Sequence, residues 1–322
     1  MLKVRALFGC FFIALIASCA TIDNATQPKP VPQNPVIRED SGEDVARHLT
    51  SRYADVRTNC GTDSQPAFLC SGVMIRGTSS NPTYHVWNNS PASIAKGGVS
   101  FSYLRADSNF NKLAYGYTNG FIFNAYFYAN TSLNPEIFCF FPIDAGTSLR
   151  ADNGCGEFPG FAGSGPCHLQ NVTTAAQFWT HYNAHSSSRH SYQCGFDVTD
   201  NRNSLAGPGF AAGVGAMKLM GAESFNTQNE IIVEAWIDNL GKTLPLEAFF
   251  YLDGSDGKTV AQRNQQDLWT SDGRWIPIIS IRLSRNAGES ATFYYLPGDQ
   301  TKKETVPPVS RRMSEELQAR LN

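Results

Sequence analysis

The chain has 322 residues, 42% hydrophobic and 17% charged, with 27 glycines and a formal net charge of −2. That composition belongs to an ordinary globular protein with a sizeable core, in one large domain or two small ones. A mildly acidic body without a basic stripe argues against nucleic acid as the partner.

Met1–Arg5 is short and basic, and Ala6–Ala17 is almost entirely apolar. The run is too short to span a bilayer, so residues 1–18 read as an export signal and not as an anchor helix. Ile16-Ala17-Ser18-Cys19 resembles the lipobox of bacterial lipoproteins, which implies lipid attachment at Cys19. Ala20 after the cysteine then implies sorting to the outer membrane. Cleavage after Ala20, with Ser18 and Ala20 as the small residues, is the alternative, giving a secreted chain. From Ala20 to Glu43 the sequence is rich in Pro, Asn and Gln and reads as a tether.

Export puts the remaining cysteines, Cys60, Cys70, Cys139, Cys155, Cys167 and Cys194, in an oxidising compartment. An even count there suggests three disulfides, for which six cysteines allow 15 connectivities. Nearest pairing gives Cys60–Cys70 and Cys155–Cys167, leaving Cys139–Cys194.

Residues 44–300 form the expected catalytic domain. Val45, Leu49 and Tyr53 recur every four residues, which predicts a helix over 44–57. Two strand-like runs follow, GVMIRGT ending near Arg76 and GGVSFSYL carrying Ser100 and Ser102, with Tyr84 and His85 in the loop between them. A helix is expected over 106–117 with Phe110, Leu113 and Ala114 on one face. Strands are expected over 120–131 and from Glu136. Residues 144–165 read as a glycine-rich loop. A threonine-capped helix is expected over 173–185, and a glycine-interrupted one over 203–220. A polar turn then runs into the strand EIIVEAWI. PLEAFFYLD, RWIPIISIRL and ATFYYLP supply three further strands. The tail over 301–322 ends in a short amphipathic helix with Met313, Leu317 and Leu321 at helical spacing. Strands without regular βαβ alternation favour an α+β fold around a mostly antiparallel core.

Three stretches carry chemistry when read together: MIRGT, then GGVSFSYLR, then FNTQNEIIV. They resemble the Arg–Ser–Glu signature of the cholera-toxin-like ADP-ribosyltransferases. That family places an arginine on its first core strand, a Val-Ser-x-Ser strand followed by Leu-Arg, and a Glu/Gln-x-Glu pair just before another strand. Arg76, Val99-Ser100-Phe101-Ser102 with Leu104-Arg105, and Gln228-Asn229-Glu230 match it in turn. Over residues 51–283 the chain is similar to the halovibrin group of secreted bacterial NAD-consuming proteins.

The resemblance implies an ADP-ribosyltransferase-like, split antiparallel core with flanking helices and a disulfide-stapled insertion between Ser100 and Glu230. It implies NAD as the substrate, no metal, and either water or a protein as acceptor of ADP-ribose. Glu230 would hydrogen-bond a ribose hydroxyl and stabilise the oxocarbenium-like transition state. Arg76 would bind a phosphate or the adjoining ribose through its planar fork. Ser100, which lines up after Val99, would hold the carboxylate or ribose. Gly77 would let backbone approach the nicotinamide amide. His85 would assist ribose or phosphate binding, and Phe101 or Tyr103 would stack on nicotinamide. Gln228 stands where arginine-directed members carry Glu, which moves the expectation toward NAD hydrolysis.

Two other readings compete. A zinc hydrolase could use His181 and His185, which share a helical face at i, i+4, with His190 nearby. Tyr182, however, stands where the zincin motif needs its glutamate. The chain could also be a non-catalytic, disulfide-stapled surface lipoprotein that binds glycan or host protein. FAGSGP lacks the lysine and hydroxyl of a phosphate loop. The aromatic runs from Phe121 to Tyr128 and Phe249 to Tyr251 have the alternation of core strands.

Overall fold

The computed structural model of the chain describes residues 42–82, 84–87, 99–123, 136–145, 155, 165–184, 193–198, 206–234 and 246–301. The export signal with Cys19, the tether, the tail helix, His185 and His190 lie outside the described residues.

Nine strands form one sheet: β1 (Val73–Gly77), β2 (Val99–Leu104), β3 (Asn119–Phe123), β4 (Glu136–Phe141), β5 (Phe196–Asp197), β6 (Glu230–Glu234), β7 (Leu246–Leu252), β8 (Ile278–Arg282) and β9 (Thr292–Tyr295). Their order is β5-β4-β6-β2-β1-β3-β7-β8-β9. Every pairing is antiparallel except β7 with β8. The α+β class and the mostly antiparallel core therefore hold.

Strand alternation sorts the side chains onto two faces. Met74, Phe101, Tyr103, Phe121, Phe123 and Phe249 enter one buried cluster, and Val73, Ile75, Leu104, Ile122 and Phe250 enter the other. The aromatic runs, where described, are core.

Helix α1 (Gly42–Ala54) covers the second cluster with Val45, Leu49 and Tyr53, the residues whose spacing announced it. On the first face lie α2 (Ala175–Ala184), α3 (Ala206–Met220) and the single turn α4 (Ala222–Phe225), which occupies part of the expected polar turn. The glycines of α3 serve its packing. A Cβ at Gly213 would come within 2.5 Å of the Phe140 ring, so only glycine lets the helix sit this low on β4.

Three expectations are corrected. Residues 106–117 do not form a helix. Phe110 and Leu113 are buried as foreseen, but Asn109 and Asn111 tie the segment to Ser284, Glu289, Phe225 and Asn226 instead of to its own turns. Only a 3-10 turn forms, over Ala114–Gly116, with Tyr115 in the left-handed region at φ 55°. Conversely, residues 257–272, assigned no element from sequence, form the 16-residue helix α5 (Gly257–Asp272). It is the crossover that a parallel β7–β8 pair requires. Finally, the disulfides are Cys60–Cys70, Cys139–Cys155 and Cys167–Cys194. The first matches nearest pairing and the other two do not. Cys139 stands on β4, and β5 pairs with β4 immediately after Cys194. Strand pairing brings Cys139 near Cys194, yet each bonds another cysteine, so neither sequence distance nor sheet adjacency alone decides which sulfurs meet. Three disulfides fit an oxidising compartment, and no helix among the described residues is long and apolar enough to cross a membrane.

Candidate functional site

β2 is shared between two neighbours along its length. Its residues 102–104 pair with β1, the last pair being Ile75 with Ser102. Its residues 99–101 pair with β6, the last pair being Phe101 with Ile231. Where each ladder stops, a side chain takes over. Arg76 extends into the gap between β1 and β2, and its Nη1 donates to the Ser100 carbonyl at 2.6 Å. Between β6 and β2, Asn229 forms both bonds of a missing peptide. Its Oδ1 accepts from the Tyr103 amide and its Nδ2 donates to the Tyr103 carbonyl, each at 2.7 Å. Asn229 is fully buried.

This arrangement brings the strands carrying Arg76, Ser100 and Glu230 side by side, in the order β1, β2, β6. Glu230 opens β6 with 0% exposure, and its Oε2 accepts from the Ala145 amide at 2.9 Å. Register sets Phe101 beside Ile231, so one further step along both strands aligns Glu230 with Ser102, which is 3% exposed. The Ser100 residue meets Arg76 through its carbonyl. Burial pushes the Arg76 guanidinium down from its usual value, and Tyr84, Tyr117 and Glu230 oppose the shift. Arg76 thus lies in the electrostatic field of Glu230 and against the Tyr84 hydroxyl.

Gln228 does not present its amide to an open site. Its Oε1 accepts from the Ala114 amide at 2.9 Å, and its carbonyl accepts from Asp144. It fixes the turn bearing Tyr115, which projects into solvent with 79% exposure.

Several expected roles change. Phe101 packs among Phe121 and Phe123, and the Tyr103 hydroxyl donates to the Ser71 carbonyl. Both rings are buried core, not a platform for nicotinamide. At Gly77 the close approach is made by Tyr117, whose Cβ would lie 2.8 Å from an added Cβ, so that space is not open to nicotinamide. Arg105, from the Leu-Arg part of the motif, is buried and donates to the Arg57 carbonyl and Ser71 hydroxyl. His85 is exposed and lies flat on buried Trp87, ring centroids 4.6 Å apart. His181 is on α2, where Tyr182 donates to Glu223. Among the described residues, no group of three or more His, Cys, Asp or Glu side chains is placed to hold a metal.

Sequence reading passed over Tyr117, Asn229 and Ala145. Asn229 carried one visible signal, as the middle residue of the Gln-x-Glu motif, but only the strand order explains why an amide is needed there. No protein-family model matches the chain, and no curated protein matches it.

Proposed function

We propose that the chain cleaves the nicotinamide–ribose bond of NAD, as an ADP-ribosyltransferase-type enzyme that passes ADP-ribose to water or to a protein side chain. The observation that carries the reading is the adjacency of β1, β2 and β6, the strands bearing Arg76, the Ser-x-Ser pair and Glu230. The split pairing along β2, within one nine-stranded sheet, is a second feature that supports the reading.

In this reading Arg76, already held between Ser100 and Tyr84, binds a phosphate of the dinucleotide. The Ala145 amide occupies the Glu230 carboxylate. Substrate binding exchanges that hydrogen bond for one from a ribose hydroxyl. The C–N bond to nicotinamide then breaks with the electron pair leaving on nicotinamide. Positive charge develops on the ribose, where a carboxylate stabilises it more than it stabilises the ground state. Water or an acceptor side chain forms the new bond at the anomeric carbon and releases its proton.

Gln228 bears on the acceptor. It is a neutral amide, not a carboxylate, and its Oε1 is engaged at Ala114, so it cannot serve an arginine acceptor as a Glu would, which favours hydrolysis as the default outcome. The resemblance of the stretch ending at Cys19 to a lipobox supports an activity on the outer membrane or outside the cell. The test is nicotinamide release from NAD by the purified chain, with labelled candidate proteins present to distinguish transfer from hydrolysis. No release by the wild-type chain contradicts the reading.

A further inference from the structure

A groove of about 460 Å³ lies between α5 and Asn81, Tyr84 and His85, and Tyr84 also hydrogen-bonds Arg76. That volume falls in the range of small-molecule sites. Asn81, Tyr84 and His85 line one wall, and Arg263, Asn264 and Asp267 line the other.

The walls are fixed by contacts that do not consume the groups facing inward. Arg263 donates to the Ser80 carbonyl and, at 3.4 Å, to the Asn81 side chain, which clamps α5 to the loop. His85 is held on Trp87, whose ring meets Phe249 edge-on in the core. That wall therefore carries an aromatic face backed by core packing.

Against that face stands a polar pair with nothing to bind. Asn264 is 4% exposed, and its Nδ2 is buried without a hydrogen-bond partner. A buried amide donor left unpaired costs stability, so its retention in a groove calls for an acceptor from outside. Asp267, three residues on and on the same helical face, has no side-chain hydrogen bond or ion pair among the described residues. The carboxylate supplies acceptors only and the Asn264 Nδ2 supplies donors only.

We propose that this groove binds a sugar ring through a vicinal diol. A hydroxyl both donates and accepts. Two adjacent hydroxyls can donate to the Asp267 carboxylate while one accepts from Asn264, so both idle groups are satisfied at once. The apolar face of the ring lies on His85. A phosphate would meet the Asp267 charge and find Arg263 already engaged. The diol can belong to a glycan or to the ribose of a nucleoside, and binding in the groove is tested without reference to whether NAD is cleaved.

Titration of the full chain with glucose, galactose, N-acetylglucosamine, adenosine and 2′,3′-dideoxyadenosine tests this. Trp87 fluorescence and ligand-observed saturation-transfer NMR report binding. Binding by at least one sugar or by adenosine is expected, with none by the dideoxy compound. Asn264→Leu and Asp267→Asn should each weaken it about tenfold. The sugars binding without adenosine identifies a glycan ligand, and adenosine binding without the sugars identifies a ribose. Asn264→Leu should also keep or raise the melting temperature, since it removes an unpaired buried amide. The proposal is overturned if no sugar or nucleoside binds at millimolar concentration, or if dideoxyadenosine binds as well as adenosine. Unchanged binding in the Asn264→Leu and Asp267→Asn variants overturns it equally.

Discussion

Replacing Asn229 by alanine leaves the amide and carbonyl of Tyr103 buried with no partner, because the ladder between β2 and β6 ends two residues earlier, at Phe101 and Ile231. Two unsatisfied backbone groups should cost about 2–4 kcal/mol, to be read by denaturant unfolding. A loss below about 1 kcal/mol would show that the backbone re-pairs without the side chain. A second residue-scale effect sits under α1. Glu247 is 3% exposed, and burial pushes its carboxyl up to about 7, with Arg52 opposing. His48 lies 3.7 Å from it, pressed down to about 4 by burial and then by Arg52. A raised carboxyl contributes stability fully below its unfolded value of 4.5, and loses it as pH rises through about 7. The depressed His48 contributes fully above 6.5, and loses it as pH falls through about 4. The two oppose each other over the shared interval, and Glu247 alone sets the slope toward alkaline pH. Between pH 5 and pH 8 the stability of Glu247→Gln should therefore gain on wild type by about 2 kcal/mol. Parallel pH profiles for the two proteins would contradict this.

At the scale of elements, legibility followed the chemistry of the buried face. Helix α1 was visible because Val45, Leu49 and Tyr53 are apolar and spaced by four. Helix α5 escaped because Asn264 and Gln265 sit in the middle of its buried face, between Ala261 and Leu268. Gln265 is there to donate to the Ile276 carbonyl and accept from Thr301, a role that no periodicity of apolar residues reveals. The segment over 106–117 shows the reverse error, since Phe110 and Leu113 have helical spacing but Asn109 and Asn111 bond Ser284, Glu289 and Asn226 on distant segments. Disulfide pairing failed for a related reason, because β4 and β5 bring Cys139 and Cys194 close without bonding them to each other. Peptide mapping of the non-reduced chain should recover a fragment joining Cys139 to Cys155. The Cys139→Ser/Cys155→Ser double variant should lose about 3 kcal/mol, the chain-entropy value for a loop of this size. A recovered Cys155–Cys167 fragment would contradict the pairing.

For the whole molecule, the polar residues of the candidate site could be read from sequence but their neighbourhood could not. Arg76, Ser100 and Glu230 were recognisable on strand-like runs. That β6 lies beside β2 depends on pairing between residues 126 positions apart at Tyr103 and Asn229, which local pattern does not encode. The same long-range packing buries Phe101 and Tyr103, which from sequence were expected to stack on nicotinamide. The proposed enzyme rests on that central trio of strands, and within it on Glu230. The most direct measurement is the rate of nicotinamide release by wild type and Glu230→Gln at matched NAD saturation. A fall of about 10²–10³-fold with little change in NAD affinity is expected for a group that acts on the transition state. Equal rates in the two proteins would contradict the account.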